Sequence, residues 1–215
     1  PRKPTVSQEV EITFSLSSGR SGQPMVKLQD INGDGFKDII FSEEDEQISA
    51  KTETPYVLYN VLTDEFKQFK PEGILPYEGR VMVPGILDCS CLAQDYYKRE
   101  LNFNLPTMSH PFRFYRFNKT FVKMCKQHWE KNDPRALLDF YLERGFTEVG
   151  NPKLHDLILS NSLSFVSNVF THISVYLGND EVLDYGDTGI SGIYTMEQFL
   201  SKNFGEVKFL RHKDL

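Results

Sequence analysis

The chain has 215 residues, 40% apolar, 25% charged and 13% aromatic, enough for one large domain or two small ones with a core that needs no covalent staples. Its net charge of -6 and pI near 5.4 argue against a nucleic-acid-binding protein, which carries a basic excess. No apolar run reaches the roughly 18 residues that a membrane-spanning helix requires. The three cysteines, Cys89, Cys91 and Cys125, are odd in number and two stand only two residues apart, so they make no disulfide framework. Folding in a reducing compartment is expected, with at least one thiol free for chemistry. No basic start followed by an apolar stretch marks a secretion signal, so an N-terminal signal is not the expected route out of a cell.

Residues 1–22 are polar, with a Ser/Gly cluster at SLSSGRSG, and read as extended and loosely held. From Met25 to Phe41 the pattern is that of a hairpin, two apolar-bearing runs around the turn-rich DINGDG. Ser42 to Lys51 is acidic and helical in character, with Ser42 placed to cap it. Tyr56–Leu62 and Glu65–Phe69 read as two short strands. Residues 1–70 are therefore expected to form a small α+β unit.

The stretch PEGILPYEGRVMVPG, residues 71–85, carries three prolines and three glycines and reads as the entry to a second domain, residues 71–215. Leu92, Tyr96 and Tyr97 predict a helix beginning near Asp88. A second helix is expected from about Phe114 to Lys131. A third, PRALLDFYLERG, has Asp133 as cap, Pro134 at its first position and Gly145 as stop. Four strand-like runs follow: DLILS, THISVYL, EVLDY and EVKFLRH. Helices followed by a cluster of strands predict an α+β fold rather than a doubly wound sheet.

Two segments carry the chemistry. Cys89 stands at the start of a predicted helix, where unpaired backbone N–H groups and the helix dipole favour a thiolate, the competent sulfur nucleophile. His172 opens a predicted strand, and Asp184 lies twelve residues later on the next one. A tight turn at Gly178–Asp180 would set Asp184 beside His172, where a carboxylate can fix the imidazole's tautomer and orientation. Taken singly, a cysteine near a helix start or a histidine at a strand end is usually a structural residue. Their order and spacing make them candidates for a nucleophile, its base and an orienting acid.

These motifs resemble the NlpC/p60 superfamily of cell-wall cysteine peptidases, whose members carry Pro-Tyr about twelve residues before an Asp-Cys-Ser that opens a helix. They continue with His-x-x-x-Tyr, an aliphatic residue and Gly, and then a third polar residue. Here Pro76-Tyr77 stands twelve residues before Cys89, Asp88-Cys89-Ser90 matches, and His172-Ile-Ser-Val-Tyr176-Leu-Gly178 matches. The resemblance implies a papain-like fold, helices packed on an antiparallel sheet. It implies that Cys89 attacks an amide, His172 relays the proton, Asp184 orients His172, and the Tyr77 hydroxyl lies near the oxyanion with the Cys89 N–H. Asp184 stands where the family more often has His, and Cys91 where many members have Gly. Cys91 is read as packing.

Residues 70–212 are also similar to the tail-tip assembly proteins, K type, of lambda-like phages, which join a JAMM-type metallopeptidase domain to an NlpC/p60 domain. That resemblance implies synthesis in the host cytoplasm, a place at the virion's tail tip beside hub and tape-measure proteins, and peptidoglycan stem peptides as substrate.

The segment Asp30-Ile-Asn32-Gly-Asp34-Gly-Phe36-Lys-Asp38 sets oxygen side chains at positions 1, 3, 5 and 9, a pattern suited to a hard cation such as Ca2+. Phe36, at position 7, completes the candidate ligand set. The EF-hand reading fails because position 12 is Phe41. Two alternatives stand: a plain Asn-Gly/Asp-Gly turn, or a remnant of a JAMM site. In the latter, Asn32 and Asp34 replace the two zinc-binding histidines ahead of Ser42 and Asp45, so a docking role rather than zinc chemistry is expected. The basic stripe of Arg113, Arg116, Lys119, Lys123 and Lys126 reads as a solvated face, and His110, His128 and His155 have no ligand-like spacing.

Overall fold

The computed structural model describes residues 26–29, 38–41, 43–53, 56–60, 65–69, 74–83, 85–108, 133–161, 169–186, 188–203 and 205–215, with side chains at 46–53 and from 74 onward. The chain divides into two compact units, residues 1–45 and 46–215. In the first, β1 (Val26–Gln29) and β2 (Asp38–Phe41) pair as an antiparallel hairpin. Helix α1 (Glu43–Thr52) runs across the division. The second unit continues with the antiparallel pair β3 (Tyr56–Asn60) and β4 (Glu65–Phe69).

The rest of the second unit is α+β. Helix α2 (Cys89–Leu101) and helix α3 (Ala136–Leu142) precede β5 (Phe146–Val149), β6 (Leu157–Ser160), β7 (His172–Gly178), β8 (Glu181–Tyr185) and β9 (Ser191–Thr195). Helix α4 (Met196–Lys202) and β10 (Lys208–His212) follow. The six strands form one antiparallel sheet in the order β5-β10-β6-β7-β8-β9. Asn179 and Asp180, both at positive φ, make the two-residue turn from β7 to β8, the backbone a tight hairpin demands.

The sheet buries a different layer on each face. Leu92, Ala93, Tyr96 and Tyr97 form the stripe of α2 that packs on Ile173, Val175, Leu183 and Tyr185, joined by Leu138 and Tyr141 of α3. On the other face, Phe199 of α4 closes over Ile158 and Val182. Because side chains alternate along a strand, His172 and Ser174 of β7 and Asp184 of β8 share the face that α4 covers. His172 is the first residue of its strand, so it stands at the end of the sheet.

The structure differs from the sequence reading in two respects. The assigned helix α3 begins at Ala136 with Arg135 as cap; Asp133 instead closes the preceding turn, its carboxylate taking the Arg135 N–H at 2.8 Å. Strand β9 and helix α4 were not expected. Thr195 caps α4 by a reciprocal capping box with Gln198, bonds of 2.9 and 3.2 Å. The helix expected at 114–131, with its basic stripe, lies outside the described residues.

A buried cation ties the segment before Cys89 to the core. Arg80 is 1% exposed and donates to Asp95 at 2.6 Å and to the carbonyls of Pro76 at 2.5 Å and Leu75 at 3.1 Å. Asp95 also holds Lys51 of α1 at 2.7 Å. Gln47 of α1 takes the Val81 N–H at 2.7 Å and donates to the Gly79 carbonyl at 2.8 Å. On the opposite side of this segment, the Ser191 carbonyl accepts the Gly79 N–H at 2.8 Å, and the Ser191 hydroxyl accepts the Arg80 N–H at 2.8 Å. Residues 79–81 are thus held between α1 and β9. Removing the buried guanidinium takes the donor from one Asp95 oxygen and from the Pro76 and Leu75 carbonyls at once, so Arg80→Met is expected to cost about 3 kcal/mol. Lys51→Met, at a half-exposed position, should cost about 1 kcal/mol or less. Urea unfolding midpoints check the difference; equal losses would contradict the assignment of Arg80 as the main tie.

Candidate active site

The loop that presents Cys89 is fixed by backbone and carboxylate together. Val83 and Leu87 bond each other's backbones at 2.9 and 2.8 Å, and Gly85 supplies the positive φ of 79° that turns the chain between them. Asp88 caps α2: one carboxylate oxygen accepts the Cys91 N–H at 3.0 Å and the other the Gly85 N–H at 2.6 Å. From the sheet, the Tyr185 hydroxyl donates to the Leu87 carbonyl at 2.8 Å. Cys89 is therefore the first residue of the helix, half-buried, in the turn whose backbone N–H groups have no intrahelical acceptor.

His172 and Asp184 form a hydrogen bond between Nε2 and Oδ1, both side chains buried. The Ser174 hydroxyl donates to the same oxygen at 2.8 Å. The Cys89 side chain lies close enough to act on the charge of the His172 ring as well. Since Nε2 is committed to Asp184, Nδ1 is the nitrogen left for sulfur. Burial works against a charged imidazole, but the charges of Asp184 and Cys89 and the hydrogen bond with Asp184 outweigh it, holding His172 well above its ordinary 6.5. Asp184 shows the complementary balance: burial opposes its charge, and His172, Ser174 and Lys202 hold it below 3.8. The stabilisation from this pair is complete between pH 3.8 and 6.5. It is lost as pH rises through the raised His172 midpoint or falls through the lowered Asp184 midpoint.

The structure thus brings together three of the four residues singled out from sequence. The fourth, Tyr77, is elsewhere: its hydroxyl donates to Glu100 at 2.7 Å and its ring lies 5.1 Å beneath the Arg99 guanidinium. Arg99 and Glu100 belong to the last turn of α2, about 16 Å along the helix from Cys89 at 1.5 Å per residue. Cys91 is separated from Cys89 chemically. Burial, reinforced by the Asp88 carboxylate, pushes its thiol up to about 12, so it stays protonated and inert at neutral pH.

Ser174 and Tyr185 are site residues that the sequence reading missed. A serine two positions after His172 on one strand faces the same way as the histidine, a signal that period-2 reasoning could have used. Tyr185 has no such signal, because its partner is a carbonyl 98 positions earlier. The loop of Asp30, Asn32, Asp34 and Phe36 lies outside the described residues, as does Cys125, and Asp38 opens β2. Among the described residues no cluster of three or more His, Cys, Asp or Glu side chains is arranged to hold a metal, and no helix is long and apolar enough to cross a membrane. No protein-family model matches the chain, and no curated protein matches it.

A thiol beside a basic imidazole, which is itself anchored on a buried carboxylate, has the chemistry of an activated nucleophile. Iodoacetamide at pH 7 is expected to alkylate Cys89 and spare Cys91, read by peptide mass mapping. Asp184→Asn should slow the alkylation of Cys89 about tenfold, equivalent to one unit in the protonation of His172. Equal labelling of Cys89 and Cys91, or a rate indifferent to Asp184→Asn, would contradict this arrangement.

Proposed function

We propose that the chain is a cysteine peptidase of the NlpC/p60 type, with the papain-like arrangement of that superfamily, acting on the stem peptides of peptidoglycan. The observation that carries the reading is Cys89 at the start of α2 beside a buried His172, whose charge it acts on and whose ring is anchored on Asp184. In the proposed reaction the Cys89 sulfur attacks the amide carbonyl, forming a C–S bond as the oxygen takes the negative charge. The Cys89 N–H, in the first turn of α2, would serve that oxyanion. His172 delivers its proton to the departing amine as the C–N bond breaks. Water then attacks the thioester, His172 takes the water's proton, and the acid product leaves as the thiolate reforms.

The hydroxyl of Tyr77 bonds to Glu100, so the proposal gives Tyr77 no oxyanion role and places it in the packing around α2. Residues 71–215 would supply the peptidase, and residues 1–70 would dock it among hub and tape-measure proteins at a phage tail tip. There it would open the wall locally during infection. Calcium at the Asp30–Asp38 segment would serve that docking part and no step of the chemistry.

Purified protein and its Cys89→Ala variant, each with calcium or chelator, would be incubated with peptidoglycan sacculi and the soluble fragments weighed by mass spectrometry. Peptide fragments released by the wild type and absent with Cys89→Ala are expected, and their masses identify the bond. Intact sacculi with folded wild type would favour a tail-tip protein that keeps the peptidase fold for assembly alone.

A further inference from the structure

Behind Asp184, on the face away from α2, lies a charged group that the proposed reaction does not use. Lys202, at the end of α4, has its ammonium buried with no hydrogen-bond partner among the described residues. It rests on the face of the Tyr194 ring, 3.4 Å from the centroid. A buried ammonium without a partner is costly, and a cation–π contact offsets only part of that cost.

The sheet register explains why it is there. Asp184 pairs directly with Gly192 of β9, and Val182 with Tyr194. The Tyr194 side chain folds back over Gly192, where a Cβ would come within 3.4 Å of its hydroxyl, and over Gly186, where a Cβ would collide with that hydroxyl. Two glycines thus clear the space beside Asp184 for an aromatic ring, and Lys202 sits on that ring. The same end of α4 is fastened to the sheet by Asn203, whose side chain accepts from Ser160 at 2.7 Å, and by Phe199, which is packed on Val182.

We propose that Lys202 is a positioning residue, a counter-charge that keeps Asp184 ionised while His172 gives up and regains its proton. This rests on the peptidase reading of Cys89 and His172 given above. In each turnover His172 passes through its neutral form. At that moment Asp184 is a buried carboxylate whose nearest cation has gone, and burial favours the protonated acid. A proton captured by Asp184 would be lost to the amine and would end the orienting bond to Nε2. Lys202, with no hydrogen bond of its own among the described residues, supplies the missing charge. Among the described residues, the ionisable and charged groups that act on Asp184 are His172 from β7 and Lys202 from α4, with Ser174 as a neutral donor and Tyr194 of β9 beneath the ammonium.

The test uses Cys89 alkylation by iodoacetamide from pH 4 to 9, followed on the Cys89 peptide, so that no substrate is required. Lys202→Met keeps the volume and removes the charge; Lys202→Arg keeps the charge. Thermal melts establish that each variant is folded. With Asp184 present, Lys202→Met is expected to move the acid limb of the profile upward by about 0.5 unit or more, the size of a nearby-charge effect, and Lys202→Arg to leave it in place. In the Asp184→Asn background the same Lys202→Met change should leave the limb where it is. An equal shift in both backgrounds, or no shift in either, overturns the proposal. A wild-type profile that follows one ordinary thiol titration would instead overturn the peptidase reading, and Lys202's role with it.

Discussion

A carboxylate buried at the end of a sheet sets the terms for the rest of the catalytic unit. Asp184 has almost no access to water, so its charge must be met from within. One of its oxygens accepts from both His172 and Ser174, and the charge of Lys202 acts on it as well. These contacts hold the imidazole of His172 in one orientation and with one nitrogen engaged, which leaves the other for the thiol. Without the carboxylate, the buried ring would favour its neutral form and could turn, and the helix start carrying Cys89 would present a sulfur with no fixed base.

The elements around this pair serve to bring two distant parts of the chain to one point. Strand pairing through the turn at Asn179–Asp180 sets Asp184 beside His172. The apolar stripe of α2 sets the helix on the same two strands. What remains is the angle of the loop before Cys89, and that is fixed by polar ties: Asp88 to two backbone N–H groups, Tyr185 to the Leu87 carbonyl, and Arg80 to the carbonyls of Leu75 and Pro76. The α+β architecture therefore supplies position, and the buried polar side chains supply orientation.

Much of this was legible in the sequence where the governing rules are local. The start of α2, the hairpin of β7 and β8 and the terminal strand follow from periodicity and turn residues. Cys89, His172 and Asp184 could be singled out because a helix start, a strand start and a tight turn each have a residue signature. What escaped depended on contacts between remote positions. Arg80 reads in sequence as one more surface arginine, and only the fold shows it buried against Asp95. Lys202 lies on a helix that the sequence did not announce, and nothing local ties it or the glycines that admit Tyr194 beneath it to Asp184. The role inferred for Tyr77 rested on resemblance alone; the ring instead packs between Tyr96 and the Arg99 guanidinium.

The account stands or falls on the charge state of His172, which is open to direct observation. Nitrogen NMR of protein labelled at its histidine rings, with Cys89→Ala and Asp184→Asn spectra to assign His172, reports whether both ring nitrogens carry protons. At pH 7.5 the account predicts a doubly protonated His172 in the wild type and a neutral ring in Asp184→Asn. A neutral His172 in the wild type, titrating at or below its ordinary 6.5, would contradict it.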